Sequence, residues 1–294
     1  MFPEAHPRAV RETIMIFVNL PLRYVAEDDS WLTRFIEAAR PWPEGPVLAP
    51  ELGLDAGVMR RQPRSWFKDV AARLRDAGLG CSIHLPFMEL HPGSQDDYIL
   101  SATRCRLVEA LECSRLFAPC HLVGHPKFDP DVHGADPRGW LERCRETWAL
   151  ALDAWPDHPP LFLENTHELD PAPLDELVAS LVQRKVSICF DIGHWHTFAQ
   201  GCRRDDLDRW LDAFGPLVGH LHLHDNDGSF DQHRALGHGG IDLAAFFAAL
   251  DARGITPSAT LEPHTEPDFA GCLDFITRNR ERFQGFSRAV GQRR

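Results

Sequence analysis

The sequence predicts an α/β protein folded as a closed (β/α)8 barrel, in which eight parallel strands alternate with helices. Three observations lead to this prediction. Short apolar segments alternate with longer segments of helical period along the whole chain. The strand segments are largely apolar, as in parallel sheets that are covered on both faces. The 294 residues contain no low-complexity linker, so we expect residues 1–294 to form a single domain.

The predicted strands are short apolar segments, and several are rich in branched and aromatic side chains, which favour extended structure. They are Thr13–Asn19, Val47–Leu52, Gly80–His84, Cys120–Gly124, Leu161–Glu164, Val186–Phe190, Val218–His224 and Ser258–Glu262. A helix is expected after each strand. The helices are predicted at Ser30–Ala39, Arg64–Asp76, a segment from about Ser94 to Phe117, Arg138–Ala154, Leu174–Gln183, Asp205–Phe214, Leu243–Arg253 and Pro267–Arg280.

Local signals mark the ends of several of these helices. Ser30 is expected to cap the first helix. The string Ser94-Gln95-Asp96-Asp97 resembles a capping box with acid in the first turn. Gly78 and Gly254 follow helical segments, as is typical of helix C-termini.

The composition is that of an ordinary globular protein, with 44% hydrophobic and 25% charged residues. The formal net charge of −12 disfavours sequence-independent binding to a polyanion such as DNA. The eight cysteines form no CxxC pair, so we expect buried thiols in a reducing compartment and a cytoplasmic protein. No apolar run reaches membrane-spanning length, and we expect no membrane association.

Residues 218–242, VGHLHLHDNDGSFDQHRALGHGGID, carry the strongest chemical signal in the chain. The alternation at the start has the period of a β-strand and places His220, His222 and His224 on one face. A polar loop with another carboxylate and another imidazole follows. One such histidine is most simply a solvated or hydrogen-bonded residue, whereas this cluster favours a bound metal ion.

Carboxylates and imidazoles also recur at the predicted carboxyl ends of the other strands, where (β/α)8 enzymes place their active sites. These residues are Glu51, His84, His125, Glu164, Asp191 with His194, His222, Asp231 with His233, and Glu262. Glu164, Asp191 and Glu262 each follow an apolar run, and burying even a neutral polar group without a partner costs roughly 2–7 kcal/mol. Three converging carboxylates would also repel one another, and a divalent cation would remove that repulsion.

The motifs LEN, DIGH, HLHD, DxH followed by GxG, and a terminal LEP occur here in an order and spacing that resemble the xylose isomerase-like TIM barrels. That superfamily includes sugar and sugar-phosphate isomerases and epimerases, and also AP endonucleases of the endonuclease IV type. The resemblance covers most of the chain, from about the second strand onward. It implies an enzyme that uses one to three divalent ions, and the ligand types suit zinc or manganese.

The resemblance implies different ligand sets for the two branches. In the isomerase branch, one ion is held by Glu164, Asp191, His222 and Glu262. In the endonuclease branch, a first ion is held by His84, His125 and Glu164. A second ion is held by Asp191, His222 and Glu262, with Glu164 bridging. A third ion is held by His194, Asp231 and His233.

The sequence departs from the family pattern in three places. The string His91–Ser94, HPGS, copies an endonuclease motif but precedes a helix, so His125 at a strand end is the better match. The usual GEG is Gly237-His238-Gly239 here, which alters an acidic position next to the ligands. The loops that would face DNA are acidic: Glu89–Asp97, Phe128–Asp136 and Glu168–Asp175.

Two functions therefore lead. The first is a metal-dependent hydrolase acting on a phosphoester of a small sugar-containing substrate at a two- or three-metal site. The second is a sugar or sugar-phosphate isomerase or epimerase, in which one metal holds the substrate while Glu164 and Glu262 exchange a proton with carbon. Arg234, just before the GxG, and Glu51 are expected substrate contacts, although Glu51 could instead cap a helix or pair with Arg60.

Two further functions stay open. One is a barrel that keeps the fold but has lost its reaction, which the absence of stoichiometric metal in the purified protein would favour. The other is a true AP endonuclease, which the acidic loops disfavour. The expected partner is a small sugar or phosphorylated molecule, and nucleic acid is not expected.

Overall fold

The computed structural model describes residues 15–39 and 47–283. Eight parallel strands close into a barrel in sequential order, with β1 paired to β8. The strands are β1 Met15–Pro21, β2 Val47–Gly53, β3 Ser82–His84, β4 Leu122–Gly124, β5 Leu161–Glu164, β6 Val186–Asp191, β7 Val218–Leu223 and β8 Ser258–Leu261. The predicted (β/α)8 barrel is confirmed. The predicted start of the first strand, at Thr13, lies outside the described residues.

The described residues contain helices after every strand. They are α1 Leu22–Glu27, α2 Ser30–Ala38, α3 Ala56–Arg61, α4 Arg64–Asp76, α5 Asp97–Ser114, α6 Pro130–His133, α7 Pro137–Asp153, α8 Ala172–Leu181, α9 Ile192–Thr197, α10 Gly201–Arg204, α11 Leu207–Phe214, α12 Leu243–Ala252, α13 Glu266–Arg278 and α14 Arg280–Phe283. The eight predicted helices are all present. The short helices α1, α3, α6, α9, α10 and α14 were not predicted, because four to six residues are too few to show a helical period.

Two predicted helix caps differ from the structure. Ser30 is the first residue of α2 and not its cap, since Asp29 occupies that position and Asp28 accepts both the backbone N–H and the hydroxyl of Ser30. In α5 the cap is Asp96, which accepts two backbone N–H groups of the first turn. The acidic start predicted for α5 is therefore present, with the cap two residues later than Ser94.

The two faces of the barrel strands carry different kinds of side chain. Ile83, Leu122 and Ile188 belong to the large apolar core that also contains the buried residues of the helices. The alternate positions face the barrel axis, and many of them are polar. Glu51 on β2, for example, contacts a histidine of β7 and a threonine of β8. The strands are buried on both faces, as expected, and the inner face carries buried polar side chains among the apolar ones.

Within residues 15–39 and 47–283, no helix combines the length and apolar character needed to cross a membrane.

Candidate metal centre

The carboxyl ends of the strands meet around a cavity of about 380 Å³. Its walls include several of the sequence-predicted residues: Glu51, His84, His125, Glu164, His194, Asp231, His233 and Glu262. Two further predicted residues, Asp191 and His222, lie fully buried beneath it. The nine predicted metal ligands form one network of contacts no longer than 3.9 Å, and within it three clusters can be recognised.

The first cluster consists of His84, His125 and Glu164. The Nε2 atoms of the two histidines lie 3.3 and 3.0 Å from the same oxygen, Oε2 of Glu164, and 3.1 Å from each other. Ligands at 2.0–2.1 Å from a tetrahedral zinc ion are about 3.3 Å from one another. The three atoms are therefore spaced as the ligands of one ion would be.

The central cluster is built around His222, with Glu164, Asp191 and Glu262. The Nδ1 atom of His222 lies 3.2 Å from Glu164, 3.3 Å from Glu262 and 3.8 Å from Asp191. These side chains come from the last four strands of the barrel or the residue after a strand, so closure of the barrel brings them together. This is the four-residue set that the isomerase branch implies.

The third cluster consists of His194, Asp231, His233 and His224. His233 Nε2 lies 2.8 Å and His194 Nε2 3.5 Å from the same oxygen of Asp231. One ligand atom from each of the four residues falls within 4.8 Å of those of the others. His233 also has a positive φ of 50°, a conformation that is uncommon outside glycine and that recurs at functional sites.

The imidazoles of His84, His194 and His233 share a further feature. Each has Nδ1 facing a backbone carbonyl oxygen, at 3.0, 2.9 and 2.8 Å respectively. A carbonyl oxygen only accepts, so Nδ1 carries the hydrogen and Nε2 of the neutral ring has a free lone pair. In all three cases Nε2 faces the carboxylate of its cluster, as in metal-binding histidines.

The family model for xylose isomerase-like TIM barrels matches residues 47–281. The chain belongs to this family. The match begins at the second strand and includes every residue of the three clusters.

Two relatives of this xylose isomerase-like barrel are similar in sequence. A probable endonuclease 4 of Mycobacterium tuberculosis is 28% identical over 229 residues, which cover 72% of this chain and 87% of that protein. The uncharacterized protein MJ1311 of Methanocaldococcus jannaschii is 25% identical over 187 residues. That match covers 61% of this chain and only 63% of the length of MJ1311.

Two solved structures are similar in fold. A D-tagatose 3-epimerase-like protein superimposes with a TM-score of 0.71 at 18% identity, over 94% of this chain and 99% of that one. The TTHB071 protein from Thermus thermophilus, in a structure soaked with zinc chloride, gives a TM-score of 0.70 at 24% identity, over 90% of this chain and 97% of that one. At these identities the likeness concerns the fold alone.

The carboxylates of this xylose isomerase-like barrel differ in their proton affinity. Burial raises the pKa of Glu164, but the imidazoles of His125 and His222 outweigh burial and hold the pKa well below its usual value. In Glu262, burial and the neighbouring Glu164 carboxylate together raise the pKa. Burial also lowers the pKa of His125 to about 4, so its ring is neutral and able to bind a metal ion at physiological pH.

The loop after β7 is held by Asp225, which is fully buried. Its two carboxylate oxygens accept backbone N–H groups of Gly237, Gly239 and Ile241. A Cβ at Gly239 would lie 2.2 Å from Asp225 Oδ1, so only glycine fits this close approach. The carboxylate thus fixes the path of the chain on both sides of the segment that carries Asp231.

Three residues that sequence analysis singled out are not members of the three clusters. Glu51 is 1% exposed and contacts His222, with its Oε1 3.0 Å from Nε2 of that ring. The guanidinium of Arg234 pairs with Asp227 in the same loop and does not reach the clusters. His91, of the HPGS string, is exposed, and its backbone N–H donates to a threonine hydroxyl on α5.

His224 and Asp225 have roles that sequence analysis did not assign. His224 lies with its Nε2 3.1 and 3.2 Å from the two oxygens of Asp191, and its ring stacks on His233 with centroids 3.8 Å apart. The alternation in HLHLH places His224 on the same face as His222. This pattern is the sequence signal that could have assigned His224 to the site. Nothing in the sequence indicated that Asp225 would be turned inward to bind backbone.

Proposed function

We propose that this chain is a divalent-metal-dependent hydrolase that acts on a phosphoester of a small sugar-containing molecule at a two- or three-metal site. The observation that carries the proposal is the pair of histidine-rich clusters beside the central one. In His84, His194 and His233 a backbone carbonyl occupies Nδ1 and leaves Nε2 directed at a carboxylate. One-metal chemistry needs only the central cluster.

The donor set fits bound cations, because several of its buried atoms have no other partner. Among the described residues, Nδ1 of His222, Nδ1 of His224 and Oδ1 of Asp231 are buried without a hydrogen bond. Such atoms are rare in native proteins, and a cation bound among them would supply the missing partner. His84, His125 and Glu164 would hold one ion, the central cluster a second, and His194, Asp231 and His233 a third.

The charge of the site favours a phosphoester over a neutral sugar. Glu164, Asp191, Asp231 and Glu262 together bring a formal charge of −4, against +6 for three divalent ions. When bound, such ions supply Lewis-acid polarisation of the phosphoryl group and activation of water. Glu164 would be a ligand of two of them, and Glu262 would be a ligand of the central ion. Arg23, which lines the same cavity, is placed to meet an anionic group.

The size and surroundings of the site support a small substrate. A cavity of about 380 Å³ is suited to a small molecule. Glu89, Asp97 and Asp131, in the segments that follow β3 and β4, are exposed carboxylates that would repel a polyanion. Glu168, in the third of the acidic loops, is buried and does not add to this surface charge.

Metal analysis combined with activity assays tests the proposal. We expect close to three equivalents of zinc or manganese per chain, and metal-dependent hydrolysis of small phosphoesters such as 4-nitrophenyl phosphate and its diester. A purified and reconstituted protein that retains no stoichiometric metal would overturn the proposal. Cleavage of a duplex with an abasic site, tested at low salt, would instead identify an AP endonuclease.

A sugar or sugar-phosphate isomerase or epimerase is the second candidate. The observation that favours it is that the pKa of Glu164 is lowered and the pKa of Glu262 is raised. Such a pair suits one base and one acid on either side of a substrate carbon. The likeness to a D-tagatose 3-epimerase-like protein agrees with it. One metal equivalent, together with exchange of a substrate C–H with deuterium from solvent, would support this function.

A further inference from the structure

We propose that Glu51 is a positioning residue whose carboxylate fixes the imidazole of His222, so that Nδ1 is presented to the central cluster. The inference rests on the proposed function, because it assumes that this cluster binds a cation. It assigns Glu51 a task different from the substrate contact expected from the sequence.

The two nitrogens of His222 lie next to different carboxylates. Nδ1 is 3.2 Å from Glu164 and 3.3 Å from Glu262, whereas Nε2 is 3.0 Å from Oε1 of Glu51. The ring is fully buried, so water does not reach it. A cation bound at Nδ1 uses the lone pair there, and the ring hydrogen must then sit on Nε2. Oε1 of Glu51 is the carboxylate oxygen next to it, at an ion-pair distance of 3.0 Å.

The other histidines of the site show why this contact matters. In His84, His194 and His233 the nitrogen that does not face the carboxylate of its own cluster lies next to a backbone carbonyl, which fixes the ring. His222 lies inside the barrel, where strand carbonyls are committed to the sheet. A carboxylate therefore takes the place of the carbonyl. A charged acceptor binds an imidazole N–H more strongly than a neutral one and makes the opposite nitrogen a better metal ligand.

Glu51 is itself held firmly. Its second oxygen, Oε2, accepts the hydroxyls of Ser82 on β3 and Thr260 on β8, at 3.0 and 2.9 Å. These two hydrogen bonds come from opposite sides of β2 and leave Oε1 directed at His222. Thr260 in turn lies 2.8 Å from Nε2 of His220, which extends the network toward the amino ends of the strands.

Oε2 of Glu51 is therefore held by two hydroxyls, and Oε1 makes an ion-pair contact with Nε2 of His222 at 3.0 Å that falls outside hydrogen-bond geometry. A substrate contact would require one of these oxygens to turn toward the cavity and release either His222 or the two hydroxyls. The position of Oε1 argues against Glu51 as a ligand of an ion at Nδ1, because Oε1 lies next to Nε2, the ring nitrogen that does not face Glu164 and Glu262.

The test is the affinity of each ion, measured in Glu51→Gln by competition with a chromophoric zinc chelator. We expect one of the bound zinc ions to be held about 10–100-fold more weakly, with the other equivalents unchanged. The absorption spectrum of the cobalt-substituted protein should change as well, since the ring that binds the central ion is less firmly oriented. Neither readout requires the enzyme to be active.

Glu168→Gln is the matched control. Glu168 is also a carboxylate with 1% exposure, but its hydrogen bond goes to the backbone N–H of Thr166. Its replacement should leave all zinc affinities unchanged. If Glu51→Gln does not fold, Thr260→Val is the second variant: it removes one hydroxyl from Glu51 at similar volume and should weaken the same ion by a smaller factor.

The outcomes separate the two proposals. A wild-type protein that binds no zinc overturns the proposed function. Wild-type zinc binding that persists unchanged in Glu51→Gln and in Thr260→Val overturns the role of Glu51 alone. Equal weakening by Glu168→Gln would also overturn it, because the effect would then follow from the loss of any buried carboxylate. Complete loss of one ion at every zinc concentration would make Glu51 a ligand and not a positioning residue.

Discussion

The Nε2 atoms of His84 and His125 lie 3.1 Å apart, and both face the same oxygen of Glu164. Two imidazole nitrogens with free lone pairs repel each other at this distance. Either a shared proton or a cation relieves the repulsion, and only a cation also uses the carboxylate oxygen as an equal third partner. The pair is therefore the most direct place to separate a polynuclear site from a one-metal site.

Replacing His125 with Ala is expected to remove one equivalent of bound metal from a site that holds several. The two remaining ligands of the first cluster compete poorly with water and buffer, whereas the central cluster keeps all of its ligands. Metal content after dialysis, measured by atomic emission, checks the prediction. His84→Ala should give the same result, and His233→Ala should empty the third position instead.

His91→Ala is the control for these variants, because this histidine is exposed and outside the clusters. It should keep the full metal content. If His125→Ala also keeps it, and only substrate affinity changes, the histidine contacts substrate. The isomerase function would then become the better account of the site.

Glu262→Gln is expected to lower turnover more than about 100-fold, a larger loss than replacing a residue that only supports a ligand. The side chain is the last carboxylate of the central cluster and lies 3.3 Å from Nδ1 of His222. The substitution keeps the size of the side chain, so the fold should persist. The measurements are kcat with saturating metal and the far-ultraviolet circular dichroism spectrum. Full activity in a folded variant would exclude Glu262 from the reaction.

The strand ends could be read from the sequence because parallel strands of one barrel all end on the same side. A carboxylate or imidazole directly after an apolar run, such as Glu164 or Asp191, is therefore placed at the mouth by topology alone. The inner face was harder to read. His121 directly precedes the three-residue strand β4, and Glu51 lies in β2, whose sequence VLAPELG does not alternate, so neither pattern separates the two faces. The contact between these two side chains joins distant parts of the chain. The pairing of Glu51 with His222 depends on side-chain geometry that no local pattern encodes.

Glu168 gives a pH dependence of stability whose sign can be stated. Burial raises the pKa of this carboxyl from 4.5 to about 7, although the backbone N–H of Thr166 opposes the shift. A group with a raised pKa in the folded state contributes stability that is fully present below pH 4.5 and lost as the pH rises to about 7. Its ionisation should cost about 3 kcal/mol above that range.

Glu168→Gln should therefore raise the free energy of unfolding at pH 8 by up to about 3 kcal/mol and have little effect at pH 4.5. Urea unfolding at the two pH values, with a chelator present so that bound cations do not contribute, is the measurement. An equal effect at both values would mean that Glu168 is ionised throughout or that its amide replacement disturbs the packing.

Gly193→Ala tests whether the third cluster depends on the packing of His224. Gly193 is in α9, one residue before His194, and an added Cβ would lie 1.9 Å from Cε1 of the His224 ring. That ring is fully buried between Asp191 and the stacked ring of His233, so it has no free space into which it can move. We expect a loss of about 1–3 kcal/mol in stability, as is usual for overpacked cores. We also expect weaker binding of the ion that His194, Asp231 and His233 would hold, with the first cluster unaffected.

Gly80→Ala, where the new Cβ would meet only Cys120 Sγ at 3.4 Å, should change neither quantity. A Gly193→Ala protein with normal stability and a full complement of metal would show that the His224 ring can move without loss of stability. It would also show that metal binding in the third cluster does not depend on the stacking of His224 on His233.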